Sequence, residues 1–373
     1  MYYMENSILK RLIIKFEDKW CNFIGIPNPY SDPFEVWFSP KIPMSDIKAY
    51  IVNPDFQYIY DKLWVAKSQN LKSGELINFK KARFPIFIKP RWGHKTAGSK
   101  NCYKINNYIQ LKPYLTKPDM IWSEYIDEPE KMTDFVLING NIVFQITYVY
   151  SGSVNGLSDE WKLISTQHRP PHEITRWVTT NLTNYTGVLN VQYRGTYIIE
   201  AGMRLARGGA YILSTKDYDL IHAINQLYLH NEWDFSQNKP NFSSFYAFKC
   251  YLEGPLLYVF PYWVIQYIMG KYDCMPFHEY YFEPVGKKKL CFFQFLHKDF
   301  DKGMKVKKII ENLFSLGQNF FIFLFLITIA LLLYKIKPGL IVLILSIILY
   351  FTRFINPINV QEGTFKMHKI RFS

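Results

Sequence analysis

Gly187-Val188-Leu189-Asn190-Val191-Gln192-Tyr193-Arg194-Gly195-Thr196-Tyr197-Ile198-Ile199-Glu200-Ala201-Gly202-Met203-Arg204-Leu205-Ala206-Arg207 is the stretch on which the reading of this chain turns. Its two halves, Gly187–Tyr193 and Thr196–Glu200, are rich in β-branched and aromatic residues, and the short polar turn between them makes adjacent antiparallel strands the expectation. Beyond them Arg204 and Arg207 stand three residues apart, followed by Gly208-Gly209. A pair of arginines on a solvated face accounts for neither Glu200 nor the double glycine.

Upstream the same style of sequence continues. Asp134–Ile138 and Ile142–Tyr148 are apolar runs joined through Asn139-Gly140-Asn141, and Asn-Gly is the residue pair that a tight hairpin turn favours. Ile121–Ile126 reads as a strand. Phe84–Pro90 reads as a short apolar strand closed by proline, with a polar loop rich in Gly, Lys and Ser after it, Arg91–Asn101. Asp217–Leu229 is helix-like. Strands, hairpins and interspersed helices give an α+β fold class.

With 373 residues, 49% of them hydrophobic and 20% charged, the chain is excluded from the low-hydrophobicity disordered class. The net charge of +13 suggests nucleic acid at first sight. Its distribution argues otherwise: from Asp301 onward there are ten Lys/Arg and three acids, so +7 of the excess surrounds the most apolar part of the chain and points to lipid headgroups. The five cysteines (21, 102, 250, 274, 291) are widely spaced and lack C-x-x-C, which fits a reducing compartment better than a disulfide framework or a zinc ribbon. The N-terminal residues, broken by Lys10, Arg11 and Lys15, carry no uninterrupted apolar run of the signal-peptide kind.

Phe320–Tyr334 and Leu340–Thr352 are almost wholly apolar and flank Lys335-Ile336-Lys337-Pro338-Gly339. At ~1.5 Å per residue, about 20 residues cross a ~30 Å hydrocarbon core, so each run spans only when extended, to Leu313 on one side and Val360 on the other. The reading is a helical hairpin over 313–355, transmembrane or re-entrant, that anchors the protein to a membrane. Lys302, Lys305, Lys307, Lys308, Arg353, Lys366, Lys369 and Arg371 would share one side against Lys335 and Lys337 on the other, which places the soluble part in the cytosol. A second aromatic stretch, Leu256–Met269, is broken by Pro261 and reads as a core element of the soluble region.

The order of these motifs resembles the ATP-grasp family, and Gly187–Ala210 is most similar to the synthetase domains of carbamoyl phosphate synthetase. The likeness runs over Tyr60–Leu229 and is carried by F-P-x-F-I-K-P at Phe84–Pro90, S-E-Y-I at Ser123–Ile126, D-x-V-x-x-N-G at Asp134–Gly140, N-V-Q-Y at Asn190–Tyr193 and I-I-E-A-G-M-R-L-A-R at Ile198–Arg207. It implies a two-lobed nucleotide-binding fold. Residues 1–82 then form a lead-in domain, 83–230 the nucleotide-binding core, 231–312 the rest of the soluble region and 356–373 a basic tail.

The same resemblance assigns roles. Lys89, and Lys62 in Asp61-Lys62, would reach nucleotide phosphates. The loop with Gly98 and Ser99 would cover them. Glu124, Tyr125 and Ile126 would lie along the adenine, and Glu130, with Glu128 as its competitor, would take the ribose hydroxyls. Gln192 and Glu200 would hold Mg2+, with Mn2+ as an alternative, since such ions take hard oxygen ligands and keep some waters. Arg204 and Arg207 would stabilise the transferred phosphoryl group, and Arg169 is a candidate contact for a substrate carboxylate. The family pattern E-x-N-x-R reads Glu200-Ala201-Gly202-Met203-Arg204 here. One oxygen ligand is gone, which leaves open a water in its place, a single metal, or loss of catalysis.

Two functions are therefore expected. One is a membrane-anchored ligase that activates a carboxylate (small molecule or acidic peptide) with ATP and joins it to an amine or similar nucleophile. The other is a catalytically degenerate relative that binds nucleotide or a partner without turnover. Nucleic acid is not expected as a partner, and the sequence does not give the oligomeric state.

Overall fold

The computed structural model describes residues 38–95, 101–151, 153–154, 158–209, 211–212, 217–235, 244–253, 260, 262–285, 289–334 and 340–345. They fall into two compact units, one within Phe34–Gly152 and Lys162–Ser244, the other within Ser153–Trp161 and Phe245–Ser373. The first unit takes in residues on both sides of the 82/83 boundary expected from sequence.

That unit opens with helix α1 (Asp46–Val52), a 3-10 helix (Pro54–Tyr60) and helix α2 (Lys62–Ser68). Both α-helices are capped as their sequences dictate. The Ser45 hydroxyl accepts from the Lys48 N–H and the Asp61 carboxylate from the Leu63 N–H, satisfying donors that a first helical turn leaves open. A small antiparallel sheet follows, built from β1 (Ser73–Glu75), β2 (Ile86–Pro90), β3 (Tyr103–Ile105) and β4 (Met120–Glu124) in the order β1-β4-β2-β3, with helix α3 (Tyr108–Leu111) in the connection. Ile86, Ile88, Ile105, Met120 and Trp122 close its core. The strand expected over Ile121–Ile126 ends at Glu124.

The second sheet of this unit holds β5 (Glu130–Ile138) and β6 (Asn141–Tyr150). The chain then leaves this unit for a two-residue ribbon, β7 (Ser153–Val154) with β8 (Ser158–Asp159), which belongs to the other unit, and returns along β9 (Trp161–Ser165). Helix α4 (His172–Asn181), β10 (Gly187–Arg194), β11 (Tyr197–Gly202) and helix α5 (Tyr218–His230) complete it, and the strands run β11-β10-β5-β6-β9, all antiparallel. The β5–β6 turn is the expected Asn139-Gly140: both residues have positive φ, 48° and 79°, and a Cβ on Gly140 would collide with the Thr183 backbone. Phe135, Leu137, Leu189, Val191 and Tyr193 pack with Ile174, Trp177 and Val178 of α4 and with Tyr60 and Val65, each large side chain contributing about 1.5–3 kcal/mol by leaving water. Gln69, just past α2, bonds to both the N–H (2.8 Å) and the C=O (2.6 Å) of Ile198, so α2 is pinned to the free edge of β11.

In the other unit, β12 (Ser244–Glu253), β13 (Met275–Val285) and β14 (Lys289–His297) pair in the order β12-β14-β13. Helix α6 (Tyr262–Lys271) turns the end of the aromatic stretch into core, with Ile265, Ile268 and Met269 buried; residues 256–259 lie outside the described ones. Helix α7 (Phe300–Leu333) is continuous for 34 residues, about 51 Å. Its first half packs Val306, Ile310 and Phe314 on Phe248, Phe292, Phe293 and Phe295. Beyond Leu313 it exposes Leu316, Phe320, Phe323, Phe325, Leu326 and Leu333, and its best 18-residue window has a mean hydropathy of 2.3 with 11% buried. It is a helix long and apolar enough to cross a membrane. Residues 340–345 are helical and also expose leucine and isoleucine; the connecting 335–339, the rest of the second run and the tail lie outside the described residues.

The basic set flanking this helix needs one correction. Lys307 does not face solvent: it is buried, with its ammonium 2.6 Å from Glu311 and 3.8 Å from Glu160. Helical spacing puts it on the stripe of Val306 and Ile310 that faces the sheet, so it drops out of the basic set expected from sequence to flank the apolar helix.

Candidate active site

Two lysines, one from the small sheet and one from helix α2, converge on β11, the edge strand of the larger sheet in the same unit. Lys89, at the end of β2, is buried and donates to the Ile199 carbonyl at 2.6 Å; Lys62, first residue of α2, is buried and lies 3.3 Å from the Glu200 carboxylate. Burial, with Lys62 close by, pulls the Lys89 ammonium down to about 8, while Glu200 pulls the other way. Lys62 is positioned by its neighbour. Asp61 caps α2 and takes the Arg91 guanidinium in a two-pronged contact at 2.9 and 2.6 Å, and the Lys62 N–H donates to the Arg91 carbonyl. Arg91 also reaches Glu75 at 3.1 Å, so two carboxylates hold it at the start of the loop. Gly98 and Ser99 lie outside the described residues.

On the opposing face, the strand register decides which oxygens stand together. Gln192 is directly opposite Glu200, and Asn190 directly opposite Gly202, so all four positions share one face of β10 and β11. One strand further in, Asp134 faces Asn190. Asp134 is fully enclosed: Asn190 Nδ2 donates to it at 2.6 Å, the Tyr148 hydroxyl at 2.6 Å, and the Ala206 N–H at 3.0 Å to each oxygen. Burial raises its carboxyl to about 6, against those hydrogen bonds, which lower it. Through Ala206 this carboxylate fixes the loop after β11 that carries Arg204. Sequence reading saw Asp134 only as a motif letter.

Arg204 is largely buried, with Nη1 3.3 Å from the Leu205 carbonyl and Nη2 2.9 Å from the carboxylate of Asp46, the first residue of α1. The backbone of Arg207 lies in the short 3-10 helix Ala206–Gly209. Asp46 belongs to the lead-in segment and was not among the expected site residues. No local pattern could have found it, because it meets Arg204 across 158 positions of sequence.

The end of β4 and the segment from it to β5 contain the residues expected at the adenine. Glu124 is exposed and its N–H donates to the Lys72 carbonyl; the Tyr125 N–H reaches the Pro85 carbonyl at 3.4 Å; the Ile126 carbonyl lies 3.5 Å from Arg194 Nη1. The ring of Tyr125 carries the Lys104 ammonium at 3.9 Å. Glu130 pairs with Arg194 at 3.3 Å and lies within electrostatic reach of Lys89 and Glu200, whereas the stem of Glu128 lies beside Gly195 at the β10–β11 turn. Burial raises the Glu130 carboxyl, offset by Arg194. Arg169 is exposed.

No protein-family model matches this sequence, and no curated protein matches it either. Solved structures do. The fold is similar to L-amino acid ligase from Bacillus licheniformis, with a TM-score of 0.52 at 14% identity over 69% of this chain and 71% of that one. N5-carboxyaminoimidazole synthase from Aspergillus clavatus, solved with ADP and 5-aminoimidazole ribonucleotide, aligns at 9% identity over 70% and 74% with a TM-score of 0.48. The chain has the ATP-grasp fold.

The ATP-grasp core places Lys62, Lys89, Glu130, Gln192 and Glu200 near one another about strands β10 and β11 of one compact unit, with Arg204 in the loop that follows β11. A divalent cation fits the donor set, which is amide and carboxylate oxygen on a single strand face, the chemistry Mg2+ prefers. Gln192 and Glu200 would hold it, and it would neutralise phosphate charge. Among the described residues no three His, Cys, Asp or Glu side chains already form a metal cluster, so waters would complete the shell.

Proposed function

We propose that this protein is a membrane-anchored ATP-grasp ligase that activates a carboxylate with MgATP. A carboxylate oxygen attacks the γ-phosphorus, the bond to the β,γ-bridging oxygen breaks and ADP leaves. An amine nitrogen then attacks the acyl carbon of the acyl phosphate, phosphate departs and the amine proton passes to solvent. The observation that carries the reading is the meeting of Lys62 and Lys89 with Glu200 and the Ile199 carbonyl. Cations from the small sheet and from helix α2 meet the oxygen-bearing strand β11, which is what a triphosphate and its metal need. The likeness to L-amino acid ligase suggests an amino acid or acidic peptide as the carboxylate.

The reading is tested by screening carboxylate and amine pairs for ADP and phosphate release by the full-length protein in detergent. Nucleotide binding adds a pH signature. The Lys89 ammonium is held near 8, so affinity for ATP should weaken as pH rises from 7 to 9 and the charge is lost. In Lys89→Arg, whose guanidinium stays charged, that weakening should be much smaller, as isothermal titration at the two pH values would reveal. Parallel pH profiles would remove Lys89 from the phosphates.

One observation favours the second reading, nucleotide or partner binding without turnover: Arg204 and Glu200 are both already engaged, by Asp46 and Lys62. Under that reading ATP binds and no acceptor elicits ADP. The anchor is tested separately. Deleting 313–373 should move the protein from the membrane pellet to the soluble fraction, because the exposed apolar half of α7 goes with it. Persistent sedimentation with membranes would overturn it. The cytosolic orientation rests on the Lys/Arg asymmetry, and protease protection of sealed vesicles checks it.

A further inference from the structure

The oxygen that β11 lost at Gly202 has a replacement from elsewhere in the chain. A Cβ built on Gly202 would come 2.6 Å from Oδ1 of Asp46 and 3.5 Å from the Tyr60 ring, so the volume that an asparagine side chain would enter is already occupied by a carboxylate. Gly202 and Glu200 are two residues apart on one strand and point to the same face, about 7 Å apart. The intruding carboxylate therefore sits one pleat from Glu200. Tyr60 links the two places, with one ring edge 3.6 Å from the corresponding Cβ position of Gly93 and 3.5 Å from that of Gly202. Glu200 Oε1 lies 3.4 Å from the same Gly93 position.

We propose that Asp46 takes the role of the missing asparagine and serves, with Gln192 and Glu200, as a side-chain oxygen ligand for the divalent cation that accompanies the nucleotide; this rests on the ATP-grasp reading of the site. Asp46 is placed by the fold, since the next turn of α1 buries Ala49 in the core and stacks Tyr50 on His94 at 3.7 Å. Its Oδ2 is oriented by Arg204, whose other nitrogen keeps the Leu205 carbonyl, so the guanidinium retains an anchor when Asp46 turns toward a metal. The Asp46 side chain is about a quarter exposed, which leaves it room to turn. Beside it, Nδ1 of His94 is buried with no hydrogen-bond partner among the described residues, as expected of a site built around something more than this chain. A carboxylate in place of an amide also adds a negative charge that two phosphate-facing lysines and Arg204 can balance.

The steric exclusion makes the proposal testable in both directions. Mn2+ is the probe, titrated onto the full-length protein with the non-hydrolysable β,γ-methylene analogue of ATP, free Mn2+ being read by electron paramagnetic resonance and folding by circular dichroism. Asp46→Ala should weaken Mn2+ retention about tenfold or more while the analogue still binds. Gly202→Asn alone should also weaken it, because the asparagine and Asp46 compete for one space. Asp46→Ala with Gly202→Asn should bring Mn2+ affinity back toward that of the natural chain. Rescue by the pair distinguishes a ligand from a merely structural ion pair. Unchanged Mn2+ affinity in a folded Asp46→Ala, or tighter analogue binding with no loss of Mn2+, would make Asp46 a latch on Arg204 and overturn the proposal. Failure of the natural chain to bind the analogue at all would instead remove the nucleotide reading beneath it.

Discussion

Glu200→Gln is expected to lower ADP release about 10²- to 10³-fold at saturating nucleotide, the scale on which one preorganised charge acts in a buried transition state. The change is isosteric, so β11 keeps its register with β10 and the carboxamide still stands opposite Gln192. What disappears is the charge that would bind the cation and that now pairs with Lys62 at 3.3 Å. Lys62 is thereby released toward phosphate, and ATP affinity should stay within about tenfold. Loss of turnover with nucleotide affinity preserved is the split between chemistry and ground-state binding that this role requires. Steady-state kinetics with the acceptor found by screening provides the measurement, and an unchanged kcat would remove Glu200 from the reaction. Where the natural chain binds ATP and no acceptor produces ADP, the binding-only reading replaces the ligase.

The largest effect on stability should come from Asp134→Ala. Three donors, the Tyr148 hydroxyl, the Asn190 amide and the Ala206 N–H, lose their acceptor inside a closed interior. An unsatisfied buried donor costs about 1–3 kcal/mol, so the sum, even allowing for relaxation, is about 3 kcal/mol or more at neutral pH. The pH dependence has a definite sign. The folded-state carboxyl titrates near 6, above its ordinary value of 3.8, so the favourable contribution of Asp134 is complete below about 4 and declines as pH rises through about 6. The difference in unfolding free energy between the natural chain and Asp134→Ala should therefore be greater at pH 5 than at pH 7. Chemical denaturation at the two values measures it; a difference that grows with pH would show that hydrogen bonding to the ionised form outweighs its burial. Because Ala206 anchors the loop of Arg204, the same variant should also lose catalytic turnover before it unfolds.

Much of the fold was legible without coordinates, because its decisive elements announce themselves over short distances. The Asn139-Gly140 turn fixes a hairpin through positive φ at both residues. The pattern of Gly187–Glu200 fixes two antiparallel strands, whereas the register set at their turn would put Gln192 opposite Ile199, and it is the irregularity between Gln192 and Tyr193 that brings Gln192 across from Glu200. Lys89 could be read as a cation at the mouth of an apolar strand. The 34-residue α7 was half visible: its apolar end stood out, while the amphipathic beginning, with Lys307 turned inward to Glu311, depends on which face meets the sheet.

Composition and period therefore settled by themselves that this chain is an α+β protein with an apolar helical end, and motif order pointed to the two strands that bear Gln192 and Glu200. Tertiary structure alone decided that Asp46, from the lead-in segment, fills the space left at Gly202 and holds Arg204, and that Asp134 organises the loop behind it. The reason is one of range. Hydrogen-bond patterns of turns and strands are set by neighbours a few residues apart, whereas a vacated side-chain volume is filled by whatever the packed chain brings there, and nothing in the letters around Gly202 names a residue 156 positions earlier.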